Sequence, residues 1–215
     1  SPYDANLISD GSESRRKFLD AMISQTDSDY LFALIQYQKT LQQRNALLKY
    51  FAKNRTFDLD SLEIYNEPLT KFGTQIFEKR QRFVASILPT IQHFYEIISK
   101  GNEKVTVIYE SNLNEQNFEE ILSENLEKDR VLTYTSRGIH KDDLRFEMNG
   151  NLIKKFGTPI NFFGGFLESF LKEKLKRGSK QVNGHTHCLQ HDLLWRSYEG
   201  RQYSLARKVL FLSVY

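Results

Sequence analysis

Apolar residues recur at helical spacing through the first hundred positions. From Ser12, a candidate N-cap, the residues Phe18, Leu19, Met22 and Ile23 fall together and predict a short helix. After Asp27 and Ser28, either of which can cap, Tyr30, Leu31, Leu34, Ile35, Leu41, Leu48 and Phe51 share a face and predict a helix of roughly six turns. "RTFDLD" reads as a connection. From Ser61 the period resumes through Leu62, Tyr65, Leu69, Phe72, Ile76, Phe83, Ile87, Ile91, Phe94 and Ile98, in steps of three, four and one of seven. Pro68 lies near its start and Pro89 within it, so the pattern predicts one very long helix kinked at Pro89 and packed antiparallel on the one before, as an arm.

After "SKGNEK" the period changes. "VTVIYES" is β-branched and predicts a strand, "NEQNFEEILSENLEKDR" a short amphipathic helix, and "VLTYTSRGIH" a second strand. Leu144, Phe146 and Met148 alternate up to Asn149-Gly150, a two-residue hairpin signal, with Leu152 returning. The fold class expected is therefore α+β, a long-helix arm attached to a β-containing unit. One irregularity stands out. In "LQQRNALLKYFAKNR", the polar residues Gln42, Gln43, Arg44 and Asn45 interrupt the apolar stripe of the second helix.

Of the 215 residues 40% are hydrophobic and 13% aromatic, a globular composition. No apolar run approaches the ~20 residues of a membrane span, and "SPYDANLISDGSESRR" lacks a signal-peptide core, so a cytoplasmic location is expected. A single cysteine, Cys188, excludes an internal disulfide framework. The net charge of +3 is unevenly spread: residues 158–215 hold nine Lys/Arg against four Asp/Glu, while residues 1–157 hold 21 against 23. A nucleic-acid surface in the first part must come from local clustering.

Several ordered motifs resemble the RecF family of bacterial DNA replication and repair proteins. They are Ser1-Pro2-Tyr3-Asp4, Arg15-Arg16-Lys17-Phe18-Leu19-Asp20, Asp27-Ser28-Asp29-Tyr30 and Gln43-Arg44-Asn45-Ala46-Leu47-Leu48-Lys49. Gly138-Ile139-His140-Lys141-Asp142-Asp143 resembles the family's Gly-Pro-His-Arg-Asp-Asp motif, with Ile139 and Lys141 as substitutions. The resemblance implies a P-loop ATPase head of the ABC and SMC type with a helical arm inserted in it. It also implies ATP and Mg as cofactors, ATP-dependent homodimerisation on DNA at gaps or junctions, and recombinase loading with RecO and RecR.

On that reading residues 1–20 end the head and join the arm, 21–103 form the arm, 104–157 return to the head, and 158–215 are a divergent tail. The phosphate-loop pattern G-x-x-x-x-G-K-[ST] does not occur, so the expectation is an internal segment that lies after that loop and, alone, neither holds ATP well nor hydrolyses it. Thr158-Pro159-Ile160-Asn161-Phe162 stands where the family's signature would follow. Cys188-Leu189-Gln190-His191-Asp192-Leu193 is a broken counterpart of the Walker B strand. An out-of-frame or rearranged 3′ end and genuine divergence both account for this tail. A rival of another class is a stand-alone helical adaptor that binds a protein through its arm.

Candidate DNA contacts are Arg15, Arg16, Arg44, Lys49 and Lys53. For Arg15 and Arg16, cations at a helix start, a DNA phosphate and an ion pair with Asp10, Glu13 or Asp20 are both open readings. Gln43, Arg44, Asn45, His140, Lys141, Asp142 and Asp143 form a candidate arm–head junction, where a planar guanidinium and an amide can satisfy loop or strand groups. Lys172, Lys174, Lys176, Arg177 and Lys180 read as a solvated face or a phosphate grip. His185, His187, Cys188 and His191 imitate a zinc cluster, but no second Cys/His pair completes four ligands, so no metal site is expected.

Overall fold

The computed structural model describes residues 10–153. They belong to one compact unit, Leu7–Phe156; the motif Ser1–Asp4, the basic run Lys172–Lys180, the Cys188 region and the 158–215 tail lie outside the described residues. Three helices open the unit: α1 (Ser12–Ser24), α2 (Ser28–Asn54) and α3 (Leu59–Ser99). Strand β1 (Val105–Glu110) follows, then α4 (Phe118–Glu124), α5 (Leu126–Leu132) and the strands β2 (Asp143–Met148) and β3 (Asn151–Leu152). Among the described residues no helix is long and apolar enough to cross a membrane.

Ser12 is the first residue of α1 rather than its cap, which is Gly11. Asp27 caps α2, its carboxylate accepting from the Tyr30 amide at 2.8 Å and from Lys79 Nζ of α3 at 2.7 Å. The helix is 27 residues long, longer than the six turns expected. Asp58 caps α3, whose 41 residues run unbroken through Pro68 and Pro89 over about 60 Å. The cross-links Asp27–Lys79 and Arg44–Asn66 fix α2 and α3 antiparallel. The C-terminal part of α3 passes beyond α2 and reaches the sheet region, where the Tyr95 hydroxyl donates to Glu103 at 2.7 Å.

β1 and β2 pair antiparallel from Val105↔Met148 to Glu110↔Asp143, and β3 continues the order β1-β2-β3. Val105, Val107 and Tyr109 of β1 and Leu144 and Phe146 of β2 are buried, so alternate residues form one core face. The hairpin forms at Asn149-Gly150, both in the left-handed region. The Asn149 side chain accepts from the Lys104 amide at 2.8 Å.

Three expectations are corrected. "VLTYTSRGIH" is not a strand: Val131 and Leu132 end α5, Thr133 turns at φ 61°, and Ile139–Lys141 form a short 3-10 turn. The amphipathic segment before it is two short helices, divided at Asn125. The inner face of α2 is Tyr30, Ala33, Tyr37, Thr40, Arg44, Leu48 and Phe51, while Leu31 and Ile35 are exposed. On α3 the buried positions include Leu62, Leu69, Ile76, Ile91 and, unexpectedly, Arg80; the side chains of Phe94 and Ile98 lie outside the described set.

Candidate functional site

Two buried arginines organise the region where the helices meet the hairpin. Arg80, 1% exposed on α3, donates through Nη2 to Asp20 at 2.7 Å and through Nε to Asp20 and the Tyr30 hydroxyl, both at 3.0 Å. Its Nη1 donates to the Ile139 carbonyl at 2.9 Å and lies 3.5 Å from Asp142 Oδ2. The Tyr30 hydroxyl in turn donates to Asp20, and that of Tyr109 to Asp142. Burial is the largest influence on Arg80 and opposes its charge, but Asp20 together with the Tyr30 and Tyr109 hydroxyl groups outweighs it and keeps the guanidinium protonated. Burial also pushes the Tyr30 and Tyr109 phenols up, so both stay neutral donors.

Arg44, fully buried on α2, anchors the second cluster. It donates through Nε to Asn66 at 2.8 Å and through Nη1 to Asp129 at 2.8 Å and Thr135 Oγ1 at 2.7 Å. Asn45 Oδ1 accepts from the Thr135 amide at 2.7 Å and its hydroxyl at 2.8 Å, and Asp129 accepts from the Ser136 amide at 2.8 Å. A desolvated ion pair of this kind holds only when its remaining donors and acceptors are also met, as most are here.

His140 joins the clusters. With Nε2 donating to the Thr135 carbonyl at 2.9 Å, its Nδ1 accepts from the Tyr37 hydroxyl at 2.8 Å, which assigns the neutral tautomer. Burial lowers its pKa from 6.5 to about 4. Between those two values an unfolded chain takes up a proton that the folded chain refuses, so this residue's contribution to stability is full above pH 6.5 and falls as the pH drops towards 4. The shift corresponds to about 3 kcal/mol. Burial pushes the Asp142 carboxyl up, which acts in the opposite sense at the acid end. The expected result is that His140→Gln flattens the difference in urea stability between pH 7 and pH 4.5 relative to wild type. An unchanged slope would place the titration elsewhere.

The residues read from sequence separate. Arg44 is withdrawn as a DNA contact, because it is buried and ion-paired to Asp129. Arg15 forks onto Asp143 at 2.6 and 2.9 Å and donates to the Asp10 carbonyl, and Arg16 donates to the Asp142 carbonyl at 2.6 Å. Both tie α1 to the entry of β2, Arg15 at Asp143 and Arg16 at Asp142. Lys49 and Lys53 are exposed on α2, as is Gln43. Arg44, Asn45, His140, Asp142 and Asp143 each bond to a partner outside their own element, whereas Lys141 is exposed with its ammonium 5.5 Å from the Tyr134 ring centroid. The sequence reading missed Arg80, Asp129 and Thr135.

Among the described residues no group of three or more His, Cys, Asp or Glu could hold a metal ion. Arg44 Nη2 lacks a protein partner but is sealed from solvent, and the Arg80 guanidinium is engaged by protein oxygens. These described residues do not fit a nucleotide–Mg site.

No protein-family model matches the chain. Over 158 residues it is 56% identical to the DNA replication and repair protein RecF of Flavobacterium johnsoniae, a match covering 74% of this chain and 44% of that one. The RecF of Phocaeicola vulgatus is 43% identical, over 74% of this chain and 42% of its own. The chain thus spans less than half the length of these curated relatives. Among solved structures, that of the recombination mediator protein RecF-ATPrS in the RecFOR pathway superposes with a TM-score of 0.74 at 31% identity, covering 82% of this chain and 50% of that one. A RecF-ATP structure gives 0.73 at 27%, over 94% and 59%. With sequence identity and backbone agreeing over most of its length, the chain belongs to the RecF family of DNA replication and repair proteins.

Proposed function

We propose that this chain is a structural portion of a RecF-type DNA repair protein that, when intact, binds DNA under the control of ATP and supports recombinase loading at gaps with RecO and RecR. ATP, Mg and the homodimer belong to that whole protein. The part played by the described residues is to hold the motif Gly138–Asp143 rigidly between α1, α2, α3 and β2. In this reading α2 and α3 form the arm, and Arg44, Asn45 and His140 mark its junction with the head.

The observation that supports this reading is that Arg80 and Arg44, from two different helices, both terminate on the 135–142 segment. That segment contains all of the family motif but its last residue, Asp143, and a motif clamped by buried charge serves a geometry rather than a sequence-independent spacer. The test is a chimera in which residues 10–153 replace the matching segment of Flavobacterium johnsoniae RecF. Retention of ATP-dependent binding to gapped DNA within a few-fold is expected. A chimera that is folded but has lost that binding would overturn the proposal.

A further inference from the structure

The loop between α5 and β2 has almost no regular structure, yet it is among the most firmly tied segments of the unit. Five bonds hold its backbone, four from four different helices and one from within: Thr135 N–H to Asn45, Ser136 N–H to Asp129, Arg80 to the Ile139 carbonyl, Arg16 to the Asp142 carbonyl, and His140 to the Thr135 carbonyl. What this frame presents outward is distinctive. Val131 is 82% exposed and Tyr134 41% exposed, with Arg137 and Lys141 exposed on the same loop. Neither Arg137 nor Lys141 is paired with a carboxylate among the described residues, although carboxylates neutralise Arg15, Arg44 and Arg80 close by in the fold.

An exposed aromatic ring with the Lys141 ammonium 5.5 Å from its centroid, and a second cation, Arg137, free of carboxylates on the same preorganised loop, match the needs of a single nucleic-acid strand. Cations take the phosphodiesters, and the ring takes a base face without reading its identity. We propose that the Tyr134–Lys141 loop contacts a single-stranded segment of DNA, with Arg137 and Lys141 on consecutive phosphates and Tyr134 against a base. This rests on the DNA-binding reading above and locates one of its surfaces. The alternative surface is the exposed pair Lys49 and Lys53 on α2, with Tyr50, 59% exposed, between them in sequence.

The test measures anisotropy of a labelled oligothymidylate of about 20 nucleotides on the full chain across a salt series, with a duplex and inorganic polyphosphate as competitors. Arg137→Ala/Lys141→Ala is expected to shallow the logarithmic salt slope by about 1.4, two contacts at ~0.7 each for a single strand. Tyr134→Ala is expected to weaken the oligonucleotide roughly 5- to 100-fold and leave polyphosphate unaffected. All three side chains are exposed, so a melting curve superimposable on wild type should accompany each variant. If wild type binds DNA and these variants match it while Lys49→Ala/Lys53→Ala does not, the loop assignment fails and the DNA reading survives. Equal competition by polyphosphate with no Tyr134 effect would make the loop a general anion patch, which also overturns it. A preference for duplex over single strand would do the same, and no DNA binding by wild type would overturn both readings.

Discussion

Replacing Arg80 with alanine is expected to destabilise the fold by about 3–5 kcal/mol, the cost of breaking a buried ion pair and stranding its partner. Asp20 and Asp142 would be left facing each other's cluster with no cation between them, and the Ile139 carbonyl would lose its donor. Such a loss is a large share of the ~5–15 kcal/mol that holds a typical domain together. Urea denaturation followed by circular dichroism measures it. Arg80→Lys should recover only part of the loss, because one ammonium cannot span Asp20 and the Ile139 carbonyl as the guanidinium fork does. An Arg80→Ala variant within about 1 kcal/mol of wild type would mean that the network contributes no net stability.

The second large effect is expected at Gly138. Its φ of 126° with ψ −179° is a backbone state that only glycine enters readily. A Cβ there would sit 2.6 Å from Phe118 Cζ and 2.9 Å from the Tyr37 hydroxyl oxygen. Backbone strain of about 1–3 kcal/mol and overpacking of similar size should make Gly138→Ala cost about 2–6 kcal/mol. Moving the Tyr37 hydroxyl would also break its bond to His140. Gly101→Ala is the control, since that residue also has positive φ, at 78°, but open space around it. Equal thermal shifts for the two variants would show that packing at Gly138 adds nothing.

Helices and hairpin were legible because each depends on local chemistry: apolar residues at three- and four-residue steps, a carboxylate cap at Asp27, and Asn-Gly at the turn. The inner face of α2 was not. Apolar counting favoured Leu31 and Ile35, whereas Thr40 and Arg44 are inside and those two face solvent. Arginine is buried there because its partner, Asp129, arrives from 85 residues away, which no local pattern carries. A usable trace did exist. The apolar series steps by seven from Leu41 to Leu48 and again from Ile76 to Phe83, and the skipped positions are filled by Arg44 and Arg80.

The interrupting polar run of α2 thus divides by face: Arg44 and Asn45 turn inward to bond the loop, and Gln43 faces out. "VLTYTS" was misread for the converse reason. Its β-branched composition favours a strand, but Thr133 in the left-handed region turns the chain, and Thr135 finds its partners on Asn45 and Arg44 instead of on a neighbouring strand.

The central claim is that buried side chains, not regular secondary structure, fix the segment from Thr135 to Asp142. Amide hydrogen exchange of the full chain tests it directly. If the claim holds, the Thr135 and Ser136 amides, bonded to Asn45 and Asp129, exchange as slowly as those of the β1 core despite lying in a loop. Exchange of these two amides at the rate of an unprotected loop would contradict it.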